Sequence, residues 1–168
     1  MVEASTRMKL TVTMALLCLH CASAPRASRN PETAALAAVR EYVAAEFTYA
    51  SANQGFYDHP DCLEQPWSCI PGWRKEDGSI LCRPSCDPLP AEYEIKFHGG
   101  FPPAWGPGSK YSPTSRYSFA FTAVPKVEKT RLRAFCGDST QFICWTPGNQ
   151  PPRVRVSECP AGCREITR

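Results

Sequence analysis

The stretch that most constrains this chain runs from Tyr117 to Trp145, YSFAFTAVPKVEKTRLRAFCGDSTQFICW. Tyr117, Phe119, Phe121 and Ala123 share one parity, and Ser118, Ala120 and Thr122 share the other. That period of two is what a half-buried strand requires. Pro125 ends the run, and Lys126–Lys129 is polar enough for a solvated turn. From Thr130 to Cys136 the alternation resumes, with Leu132, Ala134 and Cys136 opposite Arg131, Arg133 and Phe135. Gly137–Thr140 has turn chemistry, and Gln141–Trp145 returns as a third strand. The pattern predicts successive antiparallel hairpins, and no catalytic signature falls inside it.

A sheet with one apolar face needs a cover, and the chain supplies a helix. Asn30 is a good N-cap, Pro31 suits the first helical position, and Glu32 complements the helix dipole. Leu36, Val39, Val43, Phe47 and Ala50 recur at spacings of three and four, widened by Ala35, Tyr42 and Tyr49. Arg40, Glu41 and Glu46 fall at other positions. The helix is expected to end near Asn53-Gln54-Gly55, with Gly55 closing it.

Seventeen prolines among 168 residues are about twice the usual ~5%, which assigns much of the chain to loops. The Pro/Gly/Cys-rich insert spans residues 56–113 and holds one strand candidate, Tyr93–Phe97. Phe56, Tyr57 and Leu63 are expected to anchor its start on the helix. Arg153–Glu158 alternates cleanly and predicts a further strand. The length allows one domain. The expected layout is a secretion signal at 1–24, a polar linker at 25–30 and a single domain at 31–168. Its fold class is α+β: one N-terminal amphipathic helix on an antiparallel sheet of about four strands, with a disulfide-stapled loop insert.

Arg7 and Lys9 precede the short apolar run Leu10–Leu19, and Ala22-Ser23-Ala24 is a small-residue cleavage site. These are the parts of an export signal, whether the chain starts at Met1 or Met8, and the run is too brief to span a bilayer. Cys18 or Cys21 would be the acceptor of a lipid anchor, but neither follows the small residue such a site prefers, so anchoring is the lesser expectation. The expected location is periplasmic, outer-surface or extracellular. In an oxidising compartment the eight remaining cysteines, Cys62, Cys69, Cys82, Cys86, Cys136, Cys144, Cys159 and Cys163, read as disulfides. Spacing invites neighbour pairing, Cys62–Cys69, Cys82–Cys86, Cys136–Cys144 and Cys159–Cys163, though sequence alone leaves the connectivity open.

The segment Leu36–Tyr57 resembles the helix exit of soluble type IV pilin-like and type II secretion pseudopilin proteins, carried here by Thr48, Tyr49, Gly55 and Tyr57. In the second half Tyr117, Phe119, Ala123, Pro125, Thr130, Arg131, Phe135, Cys136, Asp138, Thr140 and Ile143 fall in that family's order. The resemblance implies a pilin-like head domain with a structural or interaction role in the bacterial envelope and protein partners in a secretion or pilus assembly. The chain departs from the family where filaments are built. A short secretory signal stands in place of a long apolar helix behind a peptidase-site glycine.

The same residue types also occur in catalytic and metal sites. Cys82 and Cys86 with His59 or His98 are zinc-ligand types, but exported thiols oxidise, and disulfides are the stronger reading. A nucleophilic pair of Cys136 with His98 lacks a supporting motif. Asp58, Asp61 and Glu64 would be the carboxylates of a glycosidase, yet read better as solvated turn residues. Gly99-Gly100 and Gly106-x-Gly108 lack the strand-and-helix setting of a phosphate loop. No catalytic residue, metal or cofactor is therefore assigned. The net charge of +3 argues against a dedicated nucleic-acid binder, but it is uneven: −4 over residues 25–108 and +6 over residues 109–168. If the strands are neighbours, Arg131, Arg133, Arg153 and Arg155 form a basic stripe for an acidic ligand. Trp67, Trp73, Trp105 and Trp145 either stack on a ligand or plug loops. The alternative to an envelope subunit is thus a secreted disulfide-rich module that binds an acidic or carbohydrate ligand.

Overall fold

A computed structural model describes residues 30–82, 89–127, 131–147 and 150–166. The expected secretion signal at 1–24 with its candidate lipid acceptors Cys18 and Cys21, most of the expected linker, and Cys86 lie outside the described residues. Helix α1 (Pro31–Ala52) starts as its sequence dictates: the Asn30 side chain accepts from the Glu32 N–H at 3.0 Å. It ends where Asn53 and Gln54 break the repeat. Gly55, at φ +86°, returns its N–H to the Ala50 carbonyl at 2.8 Å.

Five strands form one antiparallel meander in chain order: β1 (Tyr93–Gly99), β2 (Phe119–Pro125), β3 (Ala134–Asp138), β4 (Ile143–Thr146) and β5 (Arg164–Glu165). Each strand sits within a few residues of its sequence reading except the last. Alternation places Tyr93, Ile95, Phe97, Phe119, Phe121, Ala123 and Phe135 against the helix. Tyr42 stacks on Phe121 with ring centroids 4.7 Å apart. Phe119, Phe121, Phe135 and Tyr93 are almost fully enclosed, and each such side chain contributes roughly 1.5–3 kcal/mol. The helix rides so close to β3 that a Cβ at Gly137 would meet Val39 Cγ1 at 2.8 Å and Val43 Cγ2 at 3.0 Å.

That contact inverts the expected facing of β3. Phe135 and Gly137 meet the helix, while Ala134, Cys136 and Asp138 look to the other side. Helix packing decides the phase, because only glycine lets the two valines approach the strand. A second correction concerns Glu46. It is one of the most enclosed residues of α1, on the buried side of the helix and not among the solvated positions.

The other face of the sheet is covered by the C-terminal chain. Arg153–Glu158 is not a strand. It carries one isolated bridge, Arg155 to Glu158, and positive φ at Val156 (44°) and Ser157 (66°). With Pro151, Pro152 and Pro160 around it, the segment cannot sustain a ladder. It forms a strap over Ala120, Cys136 and Cys144, and only Arg164–Glu165 rejoins the sheet, beside β4.

The disulfides follow from this crossing. Cys136 and Cys144 are register partners on β3 and β4, as the hairpin reading expected, but they are not bonded to each other. Both point into the strap, giving Cys136–Cys159 and Cys144–Cys163 in place of neighbour pairing. These bridges close sequence separations of 23 and 19, each loop being worth about 3 kcal/mol of unfolded-state entropy. Cys62–Cys69 is a neighbour pair, staples the insert, and adjoins the short helix α2 (Pro60–Glu64). Cys82 is also disulfide-bonded.

Candidate functional site

Strands β1 and β2 are adjacent and antiparallel, a geometry that two to five loop residues can connect. Here residues 100–118 intervene. Connections of that length without secondary structure are uncommon and usually functional. This one is tied down at several points. Asn53, fully buried at the end of α1, accepts from the Ser112 N–H at 2.8 Å and donates to Ser115 Oγ at 2.8 Å and the Phe56 carbonyl at 3.0 Å. Tyr57 and Arg116 exchange both backbone bonds, at 3.0 and 2.7 Å. A turn from Gly106 to Ser109 closes through Ser109 N–H to the Gly106 carbonyl at 3.0 Å, with Gly108 supplying φ +89°.

The product is an exposed aromatic face. Phe56 lies 4.6 Å from Tyr111 and 5.4 Å from Tyr117, centroid to centroid. Tyr117 is bonded through its N–H to the Phe101 carbonyl at 3.0 Å, and the Tyr111 hydroxyl reaches the Ala104 carbonyl beside Trp105. Phe101, Trp105 and Tyr117 are 69%, 55% and 59% exposed. Several exposed aromatic side chains on one loop exceed the singly scattered apolar residues of an ordinary protein surface. The electrostatics of this face are one-sided. Residues 95–127 contain no aspartate or glutamate, while Lys110 and Arg116 lie within the loop itself.

Beneath the loop sits a buried acidic pair. Asp58 accepts from the Tyr49 hydroxyl at 3.1 Å and from the His59 N–H at 2.9 Å. Glu46 Oε2 accepts from the Asp58 N–H at 3.1 Å, and Glu46 Oε1 has no hydrogen-bond partner. Burial pushes the Glu46 carboxyl well above its ordinary range, with the Asp58 charge adding to the effect. Burial also raises the Tyr49 hydroxyl, again with Asp58 contributing. The enclosed Glu46 carboxyl, bonded to the Asp58 N–H, ties α1 to the start of the insert. It has no open access that would make it a general acid.

The basic stripe does not assemble. Arg133 turns back to the start of α1, where its Nε and Nη2 donate to Glu32 Oε2 at 3.1 and 2.8 Å. Its backbone N–H donates to Glu32 Oε1 at 2.7 Å. The hydrogen bonds from Arg133 hold the Glu32 carboxyl below its ordinary value. Arg153 and Arg155 ride the strap over the opposite face, and Arg131 lies exposed ahead of β3. Trp145 is flanked by Arg133 and Arg164 at 5.2 and 5.0 Å, Trp73 donates to the Gly78 carbonyl at 3.1 Å, and Lys75 stands over Trp67 at 6.0 Å. Trp105 alone of the four is exposed.

Asp61 is exposed and Glu64 half-buried, whereas Asp58 is fully buried. His98 bonds Thr122 Oγ1 at 3.0 Å on the sheet's strap side, with Cys136 committed to its bridge. Among the described residues no group of His, Cys, Asp or Glu could hold a metal ion, and no helix is long and apolar enough to cross a membrane. A groove of ≈ 450 Å³ runs between α1 and β4, lined by Val43, Phe47, Ile143 and Ile166 with Arg40 at its rim. Compared with known proteins, the chain matches no family model, no curated protein and no solved structure.

Sequence reading missed the aromatic grouping because Phe56, just past α1, is separated by the insert and β1 from the loop that carries Phe101, Trp105, Tyr111 and Tyr117. The available signal was the absence of acidic residues across an aromatic-rich loop.

Proposed function

We propose that this protein is an exported, non-catalytic binding module that recognises carbohydrate through the aromatic face of loop 100–118. The observation that carries the reading is the exposure of Phe101, Trp105 and Tyr117 on a loop anchored by Asn53. Sugar rings present polarised C–H faces, which rest favourably on the electron-rich faces of aromatic side chains. Lys110 and Arg116, with no carboxylate in the loop to neutralise them, favour sugars bearing uronate, sialate or sulfate groups. Two cations are too few to track a nucleic-acid backbone, which demands a continuous basic groove.

The test is binding to arrayed neutral and anionic oligosaccharides, with single-stranded oligonucleotides alongside. Retention of anionic glycans by the wild type, and its loss in Trp105→Ala/Tyr117→Ala, supports the reading. Equal binding by that variant, or retention of the oligonucleotides alone, refutes it. A blank screen for hydrolytic turnover of the retained sugars is expected of a non-catalytic module.

The envelope-subunit reading has one support, the general shape: an N-terminal helix on an antiparallel sheet with disulfide-stapled loops. It shares the pilin-like outline. Against it, much of the apolar stripe of α1 packs on the protein's own sheet. Co-purification with a secretion or pilus complex from an envelope fraction would favour it over the glycan reading.

A further inference from the structure

Strand β1 is an outer strand of the sheet, and its free edge has a self-complementary sequence. In an antiparallel pair, alternate residues bond the neighbour and the others face outward. The bonds from Lys126 N–H to the Glu92 carbonyl and from Gly100 N–H to the Ser118 carbonyl, both 2.8 Å, fix the phase. Glu92, Glu94, Lys96, His98 and Gly100 bond β2, so the backbone groups of Ile95 and Phe97 face outward. Among the described residues nothing bonds them across that edge. Free edges of this length are usually blunted or paired.

We propose that β1 pairs with β1 of a second copy of this chain, antiparallel, about a two-fold axis through Ile95. In that register Glu94 of each copy faces Lys96 of the other, and Glu92 faces His98. On the helix side Tyr93 faces Phe97. Glu94 and Lys96 already share one surface, 3.2 Å apart with their side chains about half exposed. The neighbouring registers that keep outward groups opposed are worse. Sliding by two residues one way sets Lys96 against Lys96, and the other way sets Glu94 against Glu94. Opposed unlike charges stabilise cross-strand pairs and like charges destabilise them, so a single register is selected. The result is an isologous dimer with one continuous sheet and both α1 helices on the same side.

Sedimentation equilibrium of the oxidised full chain tests this. The wild type is expected to self-associate to a dimer. Lys96→Glu or Glu94→Lys alone brings like charges together twice per dimer and should weaken association by about tenfold or more. The double swap Glu94→Lys/Lys96→Glu restores the unlike pairs and should restore the dimer. That rescue also excludes misfolding as the cause of the single-variant losses. A wild type that stays monomeric to roughly millimolar concentration, single variants that associate as well as wild type, or a double swap that remains monomeric would each overturn the proposal.

Discussion

Replacing Glu46 by glutamine should change how stability depends on pH more than it changes stability itself. The Glu46 carboxyl is enclosed on α1, with one oxygen bonded to the Asp58 N–H at 3.1 Å and the other unpartnered. Burial, reinforced by the Asp58 charge, raises its folded-state pKa well above the ordinary value of 4.5. The unfolded chain therefore releases this proton first. The stability that neutral Glu46 permits is fully present below the ordinary carboxylate pKa and is lost as pH rises towards and through the folded-state value. Within that window the loss approaches about 1.4 kcal/mol per pH unit for one proton. Glutamine keeps an acceptor for the Asp58 N–H but cannot ionise. Its extra amide hydrogens, if unpaired, cost about 1–3 kcal/mol at every pH. Urea unfolding of both proteins from pH 4 to pH 9 reads the difference. The variant is expected to gain on the wild type steadily as pH rises, whichever is more stable in acid. Parallel pH profiles would show that Glu46 is not held neutral inside the fold, and the reasoning would fail.

Three further outcomes follow from the same packing. Removing the bridge with Cys136→Ala/Cys159→Ala should lower unfolding free energy by about 3 kcal/mol, read by urea titration, because the strap then has fewer covalent ties to β3. Gly137→Ala should cost about 1–3 kcal/mol, since Val39 and Val43 stand at 2.8 and 3.0 Å from the added methyl and β-branched side chains in a helix have little rotameric escape. Asn53→Ala removes three hydrogen bonds and strands the buried Ser112 N–H, a loss of about 2–3 kcal/mol. It should accelerate hydrogen exchange at Ser112 and Arg116 beyond what global destabilisation explains.

Local rules made the helix and the central strands legible. The N-cap, the first-turn proline and the glycine stop bounded α1, and strict alternation in Tyr117–Ala123 chose the face that meets it. On β3 the alternation was equally clear, but its phase was not. Arg133 and Phe135 share a side by parity, and that side meets the helix because Gly137 lets Val39 and Val43 approach. There Arg133 pairs with Glu32 across 101 positions of chain, a pairing no local pattern reveals. Arg153–Glu158 alternates like a strand, yet the prolines around it and two positive φ angles make it a strap. The disulfide pattern was hidden for the same reason. Cys136 and Cys144 do face each other in register, but their partners come from a segment lying across the sheet. The aromatic face is a product of tertiary assembly, since Asn53 and the Tyr57–Arg116 bridge join the chain just past α1 to residues some sixty positions away.

The role assigned to that face is tested most directly by amide and aromatic NMR shifts of the oxidised protein titrated with anionic oligosaccharides. Saturable shifts centred on Phe56, Phe101, Trp105, Tyr111 and Tyr117, with Lys110 and Arg116, are the predicted result. An unperturbed aromatic loop, or shifts gathered instead around Phe47, Ile143 and Ile166, would contradict it.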